Sequence, residues 1–232
     1  MKFMKVVVSV VFLIVMSAGW SAQDAWAATN KWTRLVERCG TVLDEIQQMP
    51  ESIPEDLLKS CEGIAIFPDT ISAGFGIGGR YGQGIIMVRG ERDHEWSPPA
   101  IFTIAGGSIG WQIGGQSTDI VLLLMSRRSV NGILTGKIKL GADAAVAAGP
   151  VGRDASAATN VQLGGILSYS RTRGLFIGVK LEGTVITQHW DGDEGLYGKQ
   201  VSADDILENK KVKMPDCAEP VLDVLNDYPY RK

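Results

Sequence analysis

The chain has 232 residues, of which 45% are hydrophobic and 21% are charged, and its formal net charge is −3 at pH 7. This length and composition are sufficient for one domain with a substantial hydrophobic core. The chain lacks the excess of lysine and arginine that is typical of dedicated nucleic-acid-binding proteins, so we expect no nucleic-acid partner.

The N-terminus has the pattern of a secretory signal peptide. Lys2 and Lys5 precede an almost uninterrupted apolar run over residues 6–18, and an Ala-Trp-Ala motif follows. The run is shorter than the roughly 20 residues that cross a bilayer, and cleavage after the motif is predicted. Residues 1–27 are thus the predicted signal peptide, and residues 28–232 are a single domain that is periplasmic or secreted. An uncleaved N-terminal anchor is the alternative.

The first clear element is an amphipathic helix over residues 31–48. Its apolar residues recur at three- and four-residue steps, which places them on one face. They are Trp32, Leu35, Val36, Cys39, Leu43 and Ile46. The helix is expected to cover the core, and the alternative is a helix in a membrane interface with Trp32 at headgroup level. A second helix is predicted over residues 55–61, after Pro54.

From residue 63 to about residue 189 the hydrophobic pattern is that of strands. Strands are predicted over residues 64–67, 72–89, 101–104, 108–113, 119–125 and 137–148. Gly74, Gly76 and Gly78 leave one strand face without side chains. We therefore expect another backbone, a helix or a ligand to lie close to that face.

Two alternating runs over residues 165–183 predict a β-hairpin. The face predicted to be buried carries Leu175, Ile177, Val179 and Leu181. The turn carries Arg171 and Arg173, and two guanidinium groups on a rigid turn could bind an anion or a phosphate headgroup. An ordinary solvated turn is the alternative.

Short helical segments are predicted over residues 126–135 and 220–226, and Ser202 has the sequence of a capping box at a helix start. The elements therefore predict an α+β fold with a curved or barrel-like antiparallel sheet, N-terminal amphipathic helices and a short C-terminal helical segment. The 28 glycines suit a strongly curved sheet.

The chain has three cysteines, Cys39, Cys61 and Cys217. An exported chain meets an oxidising compartment, where one disulfide with one spare thiol is expected. Cys39 lies on the apolar face of the first helix, where a buried thiol behaves as a small hydrophobic group. The preferred pair is Cys61 with Cys217, and the cysteine spacings match no zinc site.

Two motifs match the sequence patterns of enzyme sites but are not followed by the helix that those sites require. Residues 74–79 match the dinucleotide fingerprint, which must be followed by a helix, but strand residues follow them. Ser108 lies in a GxSxG motif, whose serine must occupy a sharp strand-to-helix turn, but the next residues alternate as a strand. The acidic segment 189–194 is interpreted as a loop, with a cation site as the alternative. We expect no enzyme, cofactor or metal site, and a serine hydrolase at Ser108 is the weakest functional alternative.

Seven segments form a pattern in a fixed order: residues 63–68, 73–82, 106–110, 112–114, 140–143, 147–152 and 169–176. Together they resemble the SYLF-domain family, also described as the actin-binding Las17-binding-protein domain, over about residues 35–225. The resemblance implies a lipid-binding module, since eukaryotic members bind phosphoinositides and some bind actin filaments. The predicted signal peptide places the chain in an exported bacterial branch, for which the implied ligand is an anionic phospholipid or membrane surface.

In the eukaryotic members, membrane contact is attributed to an N-terminal amphipathic helix and to basic residues. The positions that match in this chain are Lys31, Trp32, Arg34 and Arg38. To these we add the hairpin residues Arg171, Arg173 and Lys180. A further basic cluster in the sequence comprises Arg127, Arg128, Lys137 and Lys139.

The leading hypothesis is a non-enzymatic lipid-binding module at an anionic membrane surface of the cell envelope. The alternative is a structural or protein-interaction module with an envelope protein as its partner. Lipid binding through charge would rise with the anionic lipid fraction and fall with salt, whereas binding to a protein partner would show no lipid preference.

Overall fold

The structure is a computed structural model, and it describes residues 31–152, 165–172 and 175–231. The side chains of residues 74–77 and 108–115 are not described. The predicted signal peptide and Arg173 therefore lie outside the described residues.

The described residues form helices at both ends of the chain and strands between them, in the predicted order. The helices are α1 (31–47), α2 (Glu55–Ser60), α3 (Arg127–Leu134), α4 (Trp190–Tyr197), α5 (Ala203–Leu207) and α6 (Glu219–Asn226), with a 3-10 turn at Asp216–Ala218. The strands are β1 (Gly63–Val88), β2 (Ala100–Leu124), β3 (Lys137–Lys139), β4 (Val146–Ala148), β5 (Ile166–Thr172), β6 (Leu175–Gly178) and β7 (Val185–Gln188).

All seven strands belong to one sheet, and β2 is its centre. The first half of β2 pairs with β7, and its second half pairs with β5. Strand β3 extends the sheet beyond β7, while β4 and β6 both pair with β5. Apart from the parallel pair β4–β5, the pairings are antiparallel. The sheet curls into a half-barrel, which confirms the predicted α+β fold.

Strands β1 and β2 are much longer than the sequence pattern suggests. The predicted strands 64–67 and 72–89 join as β1, which pairs with β2 from Gly63↔Leu124 to Ile86↔Ala100. The two halves of β1 also lie side by side. The backbone of Gly82 lies against Thr70, that of Gly84 lies against Ile66 and Phe67, and the Arg89 N–H donates to the Glu62 carbonyl at 2.8 Å.

Glycine is required where the two halves of β1 approach each other most closely. A Cβ atom added to Gly84 would overlap the Ile66 carbonyl oxygen and would lie 2.7 Å from the Phe67 Cα. The sequence predicted a close approach of this kind at Gly74, Gly76 and Gly78, whose surroundings lie outside what the structure describes. The close approaches that the structure does describe in β1 are at Gly82 and Gly84.

Replacing Gly84 by Ala should destabilise the fold by about 3 kcal/mol, the upper end of the usual cost of overpacking, because the opposing contact is rigid backbone. Urea denaturation would measure this change. Gly79→Ala is the matched control, since a Cβ there meets nothing within 4 Å. It should be neutral or stabilise the strand by up to about 1 kcal/mol. Equal stabilities of the two variants would contradict the proposed backbone contact.

Each face of the sheet is covered by its own hydrophobic core. One core joins the alternate residues Ile64, Ile66, Val121 and Leu123 to helices α1, α2 and α6. The other lies on the opposite face and joins Ala65, Phe67, Ile120 and Leu122 to helices α3 and α5. A strand with two buried faces needs apolar residues at every position, which explains the continuous apolar run at 120–125.

Helix α1 buries the face that the sequence predicted. Trp32, Val36, Cys39, Leu43 and Ile46 are buried in the core beneath the helix, and Leu35 packs against it. The helix thus covers the core, which was the preferred interpretation.

The β-hairpin formed by β5 and β6 is confirmed, and Leu181 of its predicted buried face is buried. Within β6 itself, however, the buried side chain is on the face opposite to the predicted one. Phe176 is buried and stacks on Tyr169 at a centroid distance of 5.3 Å, whereas Leu175 and Ile177 are exposed. The large aromatic ring fills the core under α1. The Leu175 and Ile177 side chains lie on the other face of the sheet and are exposed.

Two other expectations about local structure need correction. The predicted strand 137–148 is split into β3 and β4 by a turn in which Gly141 has a φ of 85°. The acidic segment 189–194 is not a loop but the start of α4, where the His189 side chain accepts a hydrogen bond from the Gly192 N–H.

Asp193 in α4 is a fully buried carboxylate that joins three elements. It accepts hydrogen bonds from the Ile101 N–H and from Gln188 Nε2, both at 2.7 Å. Burial raises the pKa of Asp193 to about 7, although these hydrogen bonds favour the charged form. Gln188 also donates to the Val201 carbonyl at 2.8 Å and accepts from the Ala203 N–H at 2.9 Å, so it ties the start of α5 to the sheet.

The Asp193→Asn variant should reveal this carboxylate in the pH dependence of stability. An unfolded Asp has a pKa of about 3.9, whereas the folded value is about 7. Between these values the folded state binds more protons, so its stability falls as the pH rises. The unfolding free energy of the wild type minus that of the variant should decline by at most about 1.4 kcal/mol per pH unit. Urea denaturation between pH 4 and 7 measures it, and a constant difference would contradict the assignment.

Candidate functional site

A cluster of charged side chains joins α1 to the sheet near the β5–β6 turn. The Arg171 guanidinium donates to Asp119 from Nε at 2.9 Å and from Nη2 at 2.6 Å, and Nη2 also donates to Glu45 at 2.7 Å. Arg38 of α1 lies 3.7 Å from Glu45 and 3.5 Å from Asp69. The cluster therefore links one helix to three strands.

Asp119 also fixes the backbone of β1. The Asp69 N–H donates to Asp119 Oδ1 at 2.9 Å, and Asp69 has a φ of 48° in the left-handed region. The strand register shifts at this point, between Phe67 and Thr70. The cluster lines a cleft of about 470 Å³ that opens beside Ser117 and Thr118.

The guanidinium of Arg171 is mostly buried and is neutralised by acids. Burial disfavours its charged form, but the hydrogen bonds to Asp119 and Glu45 outweigh burial and raise its pKa above the ordinary value. A bidentate pair of this kind is strong and directional. Arg171 therefore joins the sheet to α1, and its guanidinium does not project from the turn toward solvent.

Replacing Arg171 by Met should cost about 3 kcal/mol, because it leaves the Asp119 carboxylate buried without its cation. The measurement is the urea midpoint at pH 7. Lys211→Met is the control, because Lys211 pairs with Asp205 at 2.7 Å on the exposed surface and such pairs contribute less than about 1 kcal/mol. A similar loss in both variants would show that the cluster contributes no more than a surface pair.

The candidate residues of α1 lie in different environments. Trp32 is buried, with its ring 4.7 Å from the His189 ring. Lys31 is exposed and places its ammonium group 4.3 Å from the Trp32 ring centroid, and Arg34 is exposed. Lys31 lies about 21 Å along the helix from Glu45, given the rise of an α-helix. The structure therefore brings Arg38 and Arg171 together around Glu45, but leaves Lys31 at the other end of α1.

The remaining basic candidates are mostly exposed. Lys180 lies in an exposed segment after β6. Arg127 is held by Glu208 at 2.8 Å and by the Arg89 carbonyl at 2.8 Å. Arg128, Lys137 and Lys139 are exposed on α3 and β3, with no ion pair among the described residues.

One end of the sheet exposes large apolar side chains that sequence reasoning did not single out as a site. Ile71 is 58% exposed, Tyr81 55%, Leu175 62% and Ile177 44%. Thr70 pairs with Thr118, and Thr172 pairs with Leu175. Because the Thr118 and Thr172 hydroxyls lie 2.9 Å apart, Ile71 and β6 lie at the same end of the sheet. By register, Ile71 and Tyr81 belong to the face that α1 covers, and Leu175 and Ile177 belong to the other face. We call Ile71, Tyr81, Leu175 and Ile177 the distal apolar set.

The signal for the distal apolar set was present in the sequence but ambiguous. Leu175 and Ile177 alternate with Phe176, and alternation identifies two faces without showing which one is buried. Only the length of the sheet relative to its covering helices decides that these side chains meet solvent.

The structure contains free thiols in place of the preferred disulfide. Cys39, Cys61 and Cys217 are all buried and unpaired with one another. The Cys61 thiol donates to the Leu58 carbonyl at 3.3 Å, and burial raises its pKa to about 12. The Cys61–Cys217 disulfide is therefore not formed.

Both enzyme-like motifs lie within strands. Ser108 pairs with Gly78 in the middle of β2, and Gly74 and Gly79 belong to β1. Neither segment is followed by the helix that its motif requires. In the part of the chain that the structure describes, no group of three or more His, Cys, Asp or Glu side chains could hold a metal ion. None of the described helices is long and apolar enough to cross a membrane.

These features define a curled antiparallel sheet, covered on both faces by helices and fastened by a charged cluster. Residues 105–228 match the family described as "Ysc84: Las17-binding protein actin regulator". The chain belongs to this family, which confirms the SYLF resemblance.

Relatives of known name support the same assignment. The chain is 37% identical to Protein YSC84 and 36% identical to LAS seventeen-binding protein 3, both of Saccharomyces cerevisiae, over 177 residues each. These matches cover 75% of this chain, and 37% and 38% of the relatives. It is 32% identical to SH3 domain-containing YSC84-like protein 1 of Rattus norvegicus over 211 residues, which are 89% of this chain and 58% of the relative. No solved structure matches the chain significantly.

The chain thus spans less than two thirds of the length of these relatives. One of these relatives is named as a binding protein and another as an SH3 domain-containing protein, and none of the three names is that of an enzyme.

Proposed function

We propose that the chain is a non-enzymatic lipid-binding module that contacts an anionic phospholipid or membrane surface through the distal apolar set. The observation that carries this proposal is the exposure of four large apolar side chains at one end of the sheet. Large apolar side chains that are exposed on both faces at one end of a sheet are suited to a contact surface.

Two interactions, the burial of apolar area and the attraction of basic residues to anionic lipid, would hold this surface on a bilayer. Ile71, Tyr81, Leu175 and Ile177 would lose exposed apolar area at the acyl boundary, which contributes about 25 cal/mol per Å². Each basic residue near the surface of an anionic leaflet contributes roughly 1 kcal/mol. Arg80 lies beside Tyr81 with no ion-pair partner among the described residues, and Arg173 adjoins β6 in the sequence.

We revise which candidate residues would serve this contact. Trp32 is buried, and Arg38 and Arg171 are paired with acids. Lys31, Arg34 and Lys180 remain exposed, so they supply secondary, longer-range attraction. We keep the proposed location of the chain as exported, periplasmic or secreted, and peripheral to a membrane.

Co-sedimentation with phosphatidylcholine vesicles that contain increasing phosphatidylglycerol tests the proposal. Residues 28–232 are used, so that the apolar N-terminal run cannot itself bind lipid. Binding should rise with the anionic fraction and fall with salt. The Ile71→Asp/Tyr81→Asp variant should bind at least about tenfold more weakly, because it removes two apolar contacts and adds two negative charges.

Trp190→Asp is the matched control for this experiment. Trp190 is also exposed, but it follows β7 near the opposite end of the sheet. The Trp190→Asp variant should bind the vesicles with nearly the affinity of the wild type, reduced only by the effect of one added negative charge. Equal losses in both variants would show that net charge alone controls binding. An absence of binding to every vesicle would refute the lipid proposal.

A protein partner is the second candidate function. Strand β6 pairs with β5 alone among the described strands, so it forms an edge of the sheet, and an exposed edge can accept a strand from another protein. One relative is named as a Las17-binding protein. A partner that co-purifies with the wild type and is lost on Ile177→Lys substitution, without any lipid preference, would favour this candidate.

A further inference from the structure

A second cleft lies at the other end of the molecule, between the 89–96 segment and the C-terminal residues. Its volume is about 560 Å³, which is within the range of ligand-binding pockets. Arg89, His94 and Trp96 line one side of it. Met214, Leu222 and Leu225 line another side. We call this space the C-terminal cleft.

Three buried polar atoms in the C-terminal cleft have no hydrogen-bond partner in the described part of the chain. They are Arg89 Nε, His94 Nδ1 and Trp96 Nε1. Arg89 is only 4% exposed and Trp96 only 7%. Buried polar atoms are rarely left unsatisfied, because each costs free energy. Three such atoms around one cleft indicate that something else accepts their hydrogen bonds.

The Arg89 guanidinium is a buried cation without a paired acid. It donates to the carbonyls of Tyr228 at 2.9 Å and His94 at 3.3 Å, and no carboxylate lies within 4.0 Å of it among the described residues. Its Cζ lies 4.3 Å from the centroid of the Trp96 ring and 5.5 Å from that of Tyr230. The aromatic rings hold the group in place without neutralising it, so an anion would be stabilised beside it.

The acids around the C-terminal cleft compensate this charge only in part. Burial lowers the pKa of Arg89 below its ordinary value and outweighs Glu62, which favours the charged form. Asp93 is paired with Lys210 at 2.8 Å, and that hydrogen bond lowers the pKa of Asp93. Glu62 accepts a hydrogen bond from the Tyr230 hydroxyl at 3.0 Å. Glu95 is exposed at the rim, 4.0 Å from Lys210. A monoanion therefore suits the site better than a dianion, which Glu95 would repel more strongly.

We propose that the C-terminal cleft binds an amphipathic monocarboxylic acid of the fatty-acid type. Its carboxylate accepts hydrogen bonds from Arg89 Nε and Trp96 Nε1, and its chain lies along Met214, Leu222 and Leu225. This site is separate from the distal apolar set, so the inference does not rest on the proposed membrane contact.

Isothermal titration calorimetry with decanoate on the full chain tests this site. Decanol serves as the uncharged comparison, and inorganic phosphate as the anion without a chain. Decanoate should bind at least tenfold more tightly than either compound. Trp96→Phe removes one hydrogen-bond donor and keeps a ring, so it should weaken decanoate binding roughly tenfold. Trp190→Phe makes the same change on the exposed surface and should leave the affinity within twofold of the wild type.

A second pair of variants protects the test against misfolding of Trp96→Phe. Asn226 is exposed and lines the cleft, so Asn226→Asp adds a negative charge there and should weaken decanoate binding several-fold. Asn131→Asp makes the same change on the exposed face of α3 and should not. The proposal is overturned if decanoate does not bind, if decanol or phosphate binds equally well, or if Asn226→Asp and Asn131→Asp behave alike.

Discussion

The fold depends on the close approach of the two halves of β1. Gly82 and Gly84 allow that approach, because a Cβ atom at either position would meet the opposing chain. With the halves side by side, and β2 paired outside them, the sheet becomes wide enough to curl. One face of the curled sheet then carries α1, α2 and α6, and the other face carries α3 and α5. Both cores therefore follow from one backbone contact.

The same geometry gives basic residues roles that their sequence positions do not reveal. Arg171 is adjacent to a turn, where a charged side chain normally meets water, but its acids lie 52 and 126 residues away in the chain. Once β5 pairs with β2 and α1 covers the sheet, Asp119 and Glu45 surround the guanidinium. Among the described residues, Lys31, Arg34 and Lys180 are basic side chains that are exposed and have no acidic partner of this kind.

The local elements were predictable where periodicity was long and unambiguous. Helix α1, the β5–β6 hairpin and the α+β class all follow from spacing. The merging of short strands into β1 and β2 was not predictable, because register depends on pairing with distant residues. Nor was the orientation of β6, since Phe176 and its neighbours Leu175 and Ile177 are all apolar. Likewise, nothing local shows that Arg89, His94 and Trp96 surround one cleft.

The hydrogen bonds of Asp193 have a consequence for the order of folding. The bond from Ile101 to Asp193 spans 92 residues, and Gln188 completes its network only when β7 is paired with β2. Helix α4 and the start of α5 therefore have no polar anchor until the central strand exists. The β1–β2 ribbon joins two strands that are adjacent in the sequence, so it can form first. We expect it to act as the folding nucleus. The C-terminal third should then fold onto it later, at the slower rate that is set by long-range contacts.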